Sequence, residues 1–171
     1  MVGDQDASVA DTGKTKCPKT DAHYRANNGY TSFKNNISRT EVVIAGANNG
    51  ILHAFDSSSG EELWGYIPPN ILGNLSTTIT STANKTISIY GVDGSPMVKD
   101  IFFDDTPNDG LNNPRWRTVL ISGLGAGGKG YFALDITDTS NPRHLFAFEN
   151  DDLNKKYTNQ INGVKDRSNN V

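Results

Sequence analysis

One strand-turn-strand pattern is written twice in this chain and constrains its fold more than any other feature. Each copy has three short apolar runs separated by polar or glycine-rich turns. The runs are 42–46, 51–56 and 63–66 in the first copy and 119–123, 131–135 and 145–148 in the second. A small β unit that repeats is typical of array architectures, which serve more often as recognition platforms than as catalysts.

The turns of the first copy favour hairpins. Asn48-Asn49-Gly50 follows the first run, and Asn and Gly tolerate the positive φ angles that tight hairpins need. Asp56 precedes three serines and Gly60, so its carboxylate can accept backbone N–H bonds as an Asx turn. These signals predict three short antiparallel strands between residues 42 and 70.

The middle strand of each copy is predicted to be buried on both faces. Apolar residues occupy both sides of the first one, with Ile51, His53 and Phe55 opposite Leu52 and Ala54. Strands of this kind belong to sheets that lie between neighbouring sheets. Ala54 and Ala133 hold matching positions, where a short side chain suits a close approach of two sheets.

These strands together predict part of a β-propeller. A strand expected over 92–103 precedes the second copy at 116–149, and four antiparallel strands make one propeller blade. The first copy supplies strands two to four of the preceding blade, whose own first strand is missing or hidden in the N-terminal arm. We therefore expect an all-β, quinoprotein-like partial propeller of about two four-stranded antiparallel blades, with an irregular N-terminal arm and C-terminal tail.

Three segments follow from this assignment. Residues 1–38 form a polar arm or linker, residues 39–149 the partial propeller, and residues 150–171 a polar tail or the start of the next blade. Tyr24, Tyr30 and Phe33 are the few anchors expected in the arm. Because propellers close with about four to eight blades, we expect the chain to be a fragment of a larger protein that does not naturally start at Met1.

Composition excludes several classes of function. The net charge is −3 and no block of Lys or Arg occurs, so a nucleic-acid partner is not expected. The longest apolar run, 42–45, is far shorter than the roughly 20 residues of a membrane helix. The residues after Met1 lack the pattern of a signal peptide. The single cysteine, Cys17, excludes an internal disulfide, and it either pairs outside the chain or is a free surface thiol.

The glycine-rich turn of the second copy matches a dinucleotide-binding fingerprint in spacing alone. Residues 123–128 satisfy G-x-G-x-x-G and follow a strand. A phosphate loop needs a helix immediately afterwards, whereas residues 129–135 have the pattern of a strand. We therefore predict a hairpin turn whose glycines permit unusual backbone angles, and no cofactor in this fragment.

An acidic loop after the strand at 92–103 offers candidate metal ligands. Asp104, Asp105, Asn108 and Asp109 carry the oxygen atoms that calcium prefers. No register of the loop satisfies the EF-hand pattern, because a residue of the wrong type falls on a required position each time. A non-standard cation site and a solvated loop both stay open.

The sequence contains no recognisable catalytic motif, and we predict that it is not an enzyme. His23, His53 and His144 lack metal-ligand spacing; we expect His53 to pack within a strand and His144 to lie at the surface. No serine lies in a G-x-S-x-G elbow. Trp64 and Trp116 could stack on a ligand, but Trp64 ends an apolar strand, which favours a structural role.

Three motifs in order resemble the opening propeller segment of the PilC/PilY1-type type IV pilus proteins. They are the run 42–56, the segment 92–96 (Val-Asp-Gly-Ser-Pro), and residues 116–120 leading into the turn 123–130. Tyr30, Phe33 and Arg39 also match, as a Tyr-x-x-Phe pair and an arginine before the first strand. The similarity covers about residues 30–149.

The resemblance implies a large secreted protein of a Gram-negative bacterium, located at the cell surface on the pilus tip or outer membrane. Such proteins promote pilus biogenesis, oppose retraction and mediate adhesion. It implies three kinds of partner: pilins or minor pilins, host-cell or abiotic surfaces, and the remaining blades of the parent chain. The family's regulatory calcium site lies further along the propeller, so calcium is possible in the full-length protein while this chain lacks that loop.

Two alternatives to this assignment stay open. Pyrroloquinoline-quinone dehydrogenases have propeller strands with the same Ala-Phe/Leu-Asp ending, but they carry an adjacent cysteine pair, and Cys17 stands alone. A generic outer-membrane assembly scaffold would have the same propeller without a pilus partner. The pilus assignment is favoured, and it predicts contact through blade-top loops at 71–90 and 104–115.

Overall fold

The computed structural model describes residues 21–47, 49–73, 90–104, 113–151, 156–159 and 163–166, the last two ranges and residues 150 and 151 by their backbone only. The chain divides into two compact units. One comprises Met1–Ser38 and Phe102–Trp116, and the other comprises Arg39–Ile101 and Arg117–Val171. The described part is mostly antiparallel β-structure, which confirms the predicted fold class.

The described strands form two sheets, which we call the first and the second sheet. The first sheet has the order β1-β2-β3, with β1 (Val42–Gly46), β2 (Leu52–Asp56) and β3 (Glu62–Tyr66). The second sheet follows chain order, with β4 (Met97–Phe103), β5 (Arg115–Gly123), β6 (Gly130–Asp135), β7 (Arg143–Asp151), β8 (Lys156–Asn159) and β9 (Gly163–Asp166).

Strand register confirms that the two sequence copies are one structural repeat. β1 pairs with β2 so that Val42 lies opposite Asp56, and β5 pairs with β6 so that Val119 lies opposite Asp135. Each residue of β1–β3 therefore has an equivalent in β5–β7. This equivalence allows the surroundings of the two copies to be compared residue by residue.

A β-bulge occurs at the same point of both copies. The pairing of β2 with β3 shifts after Ala54, and the pairing of β6 with β7 shifts after Ala133. The extra residue is a leucine each time, Leu63 in β3 and Leu145 in β7. A bulge adds local twist and bends its strand, so both sheets are deformed at the same place.

The turns of the first sheet confirm the predicted hairpin chemistry. Asp56 accepts hydrogen bonds from the Ser58 amide at 2.7 Å and the Ser58 hydroxyl at 2.6 Å, as an Asx turn does. These hydrogen bonds lower the pKa of the Asp56 carboxyl below its ordinary value, and the bond from the Ser58 hydroxyl has the largest effect. Gly60 completes this turn with a φ of 73°, and Asn49 lies in the turn after β1, whereas Asn48 lies outside the described residues.

The N-terminal arm differs from the irregular segment that the sequence predicts. It contains two short helices, α1 (Asp21–Asn27) and α2 (Tyr30–Asn36). Neither helix has a buried residue, so the apolar periodicity that reveals most helices is too weak to detect here. An i,i+4 ion pair between Asp21 and Arg25, at 3.0 Å, contributes to α1 instead.

The aromatic anchors predicted for the arm are confirmed within this unit. The ring centroids of Tyr30 and Trp116 lie 4.7 Å apart, those of Phe33 and Trp116 6.4 Å, and those of Tyr24 and Phe102 6.3 Å. The Trp116 indole N–H donates to the Asn28 carbonyl at 2.7 Å. Trp116 is therefore a buried structural residue, and the ligand-stacking alternative has no exposed ring face to use.

Two strand boundaries differ from the prediction. β4 begins at Met97 rather than at residue 92, because the preceding segment packs its backbone against the glycine-rich turn: a Cβ on Gly94 would lie 2.3 Å from the Gly123 carbonyl oxygen. After residue 150, where the sequence shows no recognisable strand, β8 and β9 extend the second sheet beyond β7. Their sequences are polar, so backbone pairing forms these strands without an apolar alternation to announce them.

Candidate functional site at the interface between the two sheets

One apolar cluster joins the two sheets within their compact unit. Its buried members are Leu52, Ile71, Val92, Leu120, Leu124, Phe132, Leu134, Ile136 and Ala147, and the partly buried residues packed on it are Ile44, Trp64, Tyr66 and Ile67. Full burial of one large apolar side chain contributes about 1.5–3 kcal/mol. The cluster therefore stabilises one arrangement of the first sheet against the second.

Directional hydrogen bonds fix the same interface. The Trp64 indole N–H donates to the Thr139 carbonyl at 2.8 Å, and the Thr139 hydroxyl donates to the Thr40 carbonyl at 2.8 Å. The Asn70 side-chain amide donates to the Phe148 carbonyl at 3.0 Å. Trp64 thus packs and hydrogen-bonds inside the molecule, which is the structural role predicted for it.

A tyrosine–histidine pair also crosses this interface. The Tyr66 hydroxyl lies 2.7 Å from Nδ1 of His144, and the two rings stack with centroids 6.1 Å apart. Burial raises the pKa of Tyr66 to about 12 and lowers the pKa of His144 below its ordinary value. The prediction that His144 lies at the surface is wrong. The residue is only partly exposed, its ring stacks on Tyr66, and its Nε2 atom is buried.

A buried carboxylate closes β6. Asp135 Oδ1 accepts hydrogen bonds from the Thr137 amide at 2.9 Å and the Thr137 hydroxyl at 2.5 Å. Its Oδ2 atom lies 3.2 Å from an Arg143 nitrogen and 3.5 Å from an Arg117 nitrogen. Two cations therefore compensate the one negative charge, and the arrangement stabilises the turn after β6.

A polar relay lies at the entrance of β1. The Arg39 guanidinium donates to the Thr118 hydroxyl at 2.6 Å, and that hydroxyl donates to Asp100 Oδ1 at 2.6 Å. Thr118 is only 3% exposed, so its hydroxyl links opposite charges in a shielded position. Arg39 is the arginine before the first strand on which the family resemblance partly rests.

Beside this relay lies a cleft of about 310 Å³, which we call the β1 cleft. The apolar part of its lining comes from Val42 and Ile44 of β1, Val98 of β4, and Ile136 after β6. Arg39 and Glu41 contribute charged groups to the lining at the start of β1. The cleft can therefore accept apolar side chains along most of its length.

The glycine-rich turn connects the paired strands β5 and β6, as the sequence predicts, and Gly125 has a φ of 56°. The turn also packs backbone against backbone. A Cβ on Gly127 would lie 2.0 Å from the Gly91 carbonyl oxygen, so no side chain fits there. The Ala126 amide donates to the Asp93 carboxylate at 3.3 Å, so an anionic side chain already occupies this amide. β6 begins at Gly130, and the helix required by a dinucleotide loop does not follow.

The candidate metal ligands are only partly described. The Asp104 carboxylate accepts a hydrogen bond from the backbone N–H of Asn113 at 3.1 Å. Asp105, Asn108 and Asp109 lie outside the described residues, as does Cys17. Across the part of the chain that the structure describes, no group of three or more His, Cys, Asp or Glu side chains is placed to hold a metal ion.

Sequence reasoning missed most of the residues that hold the two sheets together. The Arg39–Thr118–Asp100 relay joins positions far apart in sequence, and no local motif announces it. Aligning the two copies would have suggested that Trp64 and Tyr66 share a face, because their equivalents Phe146 and Phe148 are also aromatic. The equivalence of copies is therefore the signal that could have found the interface.

Comparison with known proteins identifies the family. The β-propeller domain of PilY1 matches residues 5–167 of this chain. The chain belongs to the PilY1 β-propeller family. The match confirms the resemblance predicted from the three sequence motifs, and it extends over nearly the whole chain.

Curated and solved relatives agree with this family. The chain is 38% identical over 128 residues to the type IV pilus biogenesis factor PilY1 homolog of Xylella fastidiosa, covering 74% of this chain and 10% of that protein. It is 35% identical over 121 residues to PilY1 of Pseudomonas aeruginosa strain UCBPP-PA14, covering 70% and 10%. The crystal structure of the Pseudomonas aeruginosa PilY1 C-terminal domain is similar, with a TM-score of 0.51, 38% identity, and coverage of 73% of this chain and 22% of that one. The chain thus spans about one tenth of the length of these curated relatives.

Within the described residues, no helix is both long and apolar enough to cross a membrane.

Proposed function

We propose that this chain is part of the propeller domain of a type IV pilus biogenesis factor, which supports pilus assembly and surface attachment from the pilus tip or the outer membrane of a Gram-negative bacterium. The observation that carries the proposal is the PilY1 propeller match over residues 5–167. The names of the curated relatives, type IV pilus biogenesis factors of Xylella and Pseudomonas, support a role in the cell envelope.

The mechanism is non-enzymatic presentation of loops on a stiff scaffold. Both sheets are held by an apolar cluster and by hydrogen bonds in fixed directions, as recognition scaffolds require. The contact loops predicted at 71–90 and 104–115 lie largely outside the described residues. Their described roots are anchored, since Ile71 is 1% exposed and Asp104 is hydrogen-bonded to Asn113.

The partners are of two kinds. Pilins or minor pilins and host-cell or abiotic surfaces are the external ones, contacted through the loops. The remaining blades of the parent chain are the internal ones: Leu52 and Tyr66 pair across β2 and β3 and pack on the second sheet, whereas the equivalent pair, Tyr131 and Phe148, is 52% and 39% exposed. Tyr131 and Phe148 can therefore pack against the next blade in the way that Leu52 and Tyr66 pack against the second sheet.

Gene deletion and complementation test this function. In the source bacterium, deletion of the parent gene should reduce the number of surface pili and the fraction of cells attached to a surface, and the wild-type gene should restore both. Pili are counted by electron microscopy and attachment by a static adhesion assay. Unchanged counts and attachment after deletion would contradict the proposal.

A loop variant separates assembly from adhesion. Replacing residues 75–88 by a short Gly-Ser linker should restore pilus number while attachment stays low, because the scaffold remains intact and the contact loop is lost. Leu120→Asp, which places a charge in the fully buried cluster, is the control that should restore neither. If the loop variant restores attachment fully, this loop is not a contact surface.

A further inference from the structure

Two Asn-Gly pairs lie wholly within the part of the chain that the structure describes, Asn28-Gly29 between α1 and α2 and Asn49-Gly50 between β1 and β2. Asparagine before glycine is prone to deamidation, because glycine has no side chain to hinder attack of its backbone nitrogen on the asparagine side chain. A third pair, at 162–163, lies partly outside the described residues. The two described pairs share one chemistry, so their surroundings decide which of them reacts.

The reaction joins a backbone nitrogen to a side-chain carbon. The glycine nitrogen loses its proton and bonds to Cγ of the asparagine, while the bond from Cγ to Nδ2 breaks and ammonia leaves with that proton. Water then opens the cyclic imide at either carbonyl, which gives aspartate or isoaspartate. The structural requirements are therefore a glycine N–H that is not engaged elsewhere and an asparagine side chain that can rotate.

The fold restrains Asn49-Gly50 at the atoms that the reaction uses. Asn49 Oδ1 accepts a hydrogen bond from the Ile51 amide at 3.0 Å, and Asn49 Nδ2 lies 3.2 Å from His53 Nε2. The Gly50 N–H donates to the Ala47 carbonyl at 3.0 Å, and Gly50 is buried. Attack would have to break these hydrogen bonds inside a packed turn, so the fold protects this pair.

The surroundings of Asn28-Gly29 meet both requirements. Gly29 is exposed, and among the described residues its N–H donates no hydrogen bond. A Cβ on Gly29 would meet nothing within 4 Å, so the backbone has room to move. The Asn28 side chain is held by one hydrogen bond, from Nδ2 to the Tyr24 carbonyl at 2.9 Å. The Trp116 indole N–H donates to the Asn28 carbonyl at 2.7 Å, which draws electron density from the 28–29 peptide and makes its N–H more acidic.

We infer that Asn28 is a site of spontaneous deamidation in the N-terminal arm, whereas Asn49 keeps its amide, and that the acid formed at position 28 weakens the end of α1. The reaction removes the Nδ2 donor to the Tyr24 carbonyl and leaves a carboxylate at the C-terminal end of a helix, where negative charge is unfavourable. The isoaspartate form also adds a methylene group to the backbone of the turn.

Ageing of the purified full-length protein tests the site. The folded protein is incubated at neutral pH and digested at acidic pH, and mass spectrometry follows the conversion of amide to acid in both peptides. Conversion should be at least about tenfold faster at Asn28 than at Asn49. In guanidinium chloride the two rates should become similar, because only the neighbouring sequence then acts. No conversion at Asn28, equal rates in the folded protein, or an unchanged ratio after denaturation would overturn the inference.

Limited proteolysis tests the effect on α1. Trypsin cleaves after Arg25, which forms an ion pair with Asp21 at 3.0 Å within the helix. Aged wild-type protein and fresh Asn28→Asp should be cleaved there several-fold faster than fresh wild type, because α1 opens more often. Asn28→Gln, which keeps an amide and would have to form a larger ring, is the matched control and should keep the slow rate after ageing. Equal rates in every sample would overturn the weakening of α1. Both measurements concern the arm, so they can fail while the pilus function stands.

Discussion

Strands β2 and β6 occupy the same place in two copies of one repeat, yet their side chains have different surroundings. Phe132 and Leu134 are buried on one face of β6, and Ala133 is buried on the other. In β2 Leu52 and Ala54 are buried, but His53 and its neighbours on the opposite face are only partly covered. Equal sequence patterns therefore build equal strands, while burial depends on which sheet faces are covered by another sheet.

The carboxylates that end these two strands also share a local structure but differ in their surroundings. Asp56 and Asp135 both accept hydrogen bonds from the hydroxyl and amide groups of the following turn. Asp135 is 6% exposed and lies beside Arg117 and Arg143, whereas the Asp56 turn is open to solvent. The same local motif serves one copy as a turn alone and the other as a turn with a charge cluster.

The largest difference is expected at the position shared by Phe132 and His53. Phe132→Ala should lower the free energy of unfolding by about 3–5 kcal/mol, because it removes a fully buried ring and leaves a cavity. His53→Ala should cost less than about 1 kcal/mol, because that side chain is partly exposed. Urea-induced unfolding of both variants measures the two losses. Equal losses would show that the outer face of β2 is as enclosed as the core.

The charge cluster is the next largest difference. Asp135→Ala should cost about 3 kcal/mol, the low end for a buried charge that loses its partner, since Arg117 and Arg143 are both partly exposed. Asp56→Ala removes only turn hydrogen bonds and should cost clearly less. Thermal unfolding of the two variants side by side gives the ranking, and the reverse ranking would mean that the arginines contribute nothing to the turn of β6.

Ala54 and Ala133 distinguish the covered face from the open one. Ala54→Leu should cost about 1–3 kcal/mol, because the added atoms meet the face that packs on the second sheet. Ala133 is itself fully buried, but its neighbours on the same face, Tyr131 and Phe148, are 52% and 39% exposed, so they can yield to the added volume and the cost of Ala133→Leu should be smaller. Chemical unfolding of the pair, with equal m-values as the control for a two-state transition, tests this. Equal costs would indicate that the outer face of the second sheet is as rigid as the interface.

The smallest effect is expected from pH, through Tyr66 and His144. Because the folded-state pKa of His144 is lowered, stability should fall as the pH drops below about 6.5. Because burial raises the pKa of Tyr66 to about 12, stability should also fall as the pH rises from about 10 to about 12. Tyr66→Phe, which copies its equivalent Phe148, should remove the alkaline decline and keep the acidic one. A variant that keeps both declines would exclude Tyr66 as the group responsible.

Local sequence signals predicted the strands and turns of the propeller segment because those elements depend on neighbours in the chain. The Asp56 turn and the glycine-rich turn follow from residues a few positions apart. The helices of the arm and the polar strands β8 and β9 were not predicted, since neither shows apolar periodicity. The exposure of His53 could not be read from sequence either, because it depends on whether a sheet covers that face.

The interface was the least predictable part of the candidate site. The hydrogen bond from Arg39 to Thr118 joins residues 79 positions apart in sequence, and the one from Trp64 to Thr139 joins residues 75 positions apart. Only a fold that is already known brings such residues together. The motifs of the family resemblance identified the architecture, but the bonds between its sheets came from the structure.

The bulges at Leu63 and Leu145 determine which kinds of mutation the repeat can survive. A substitution at either leucine changes one side chain. Deleting the leucine would let the residues on either side of it pair regularly with the neighbouring strand, so each would keep its face of the sheet while the extra twist of the bulge is lost. Trp64 and Tyr66 would then meet the second sheet at a changed angle, so the two sheets would fit together less closely.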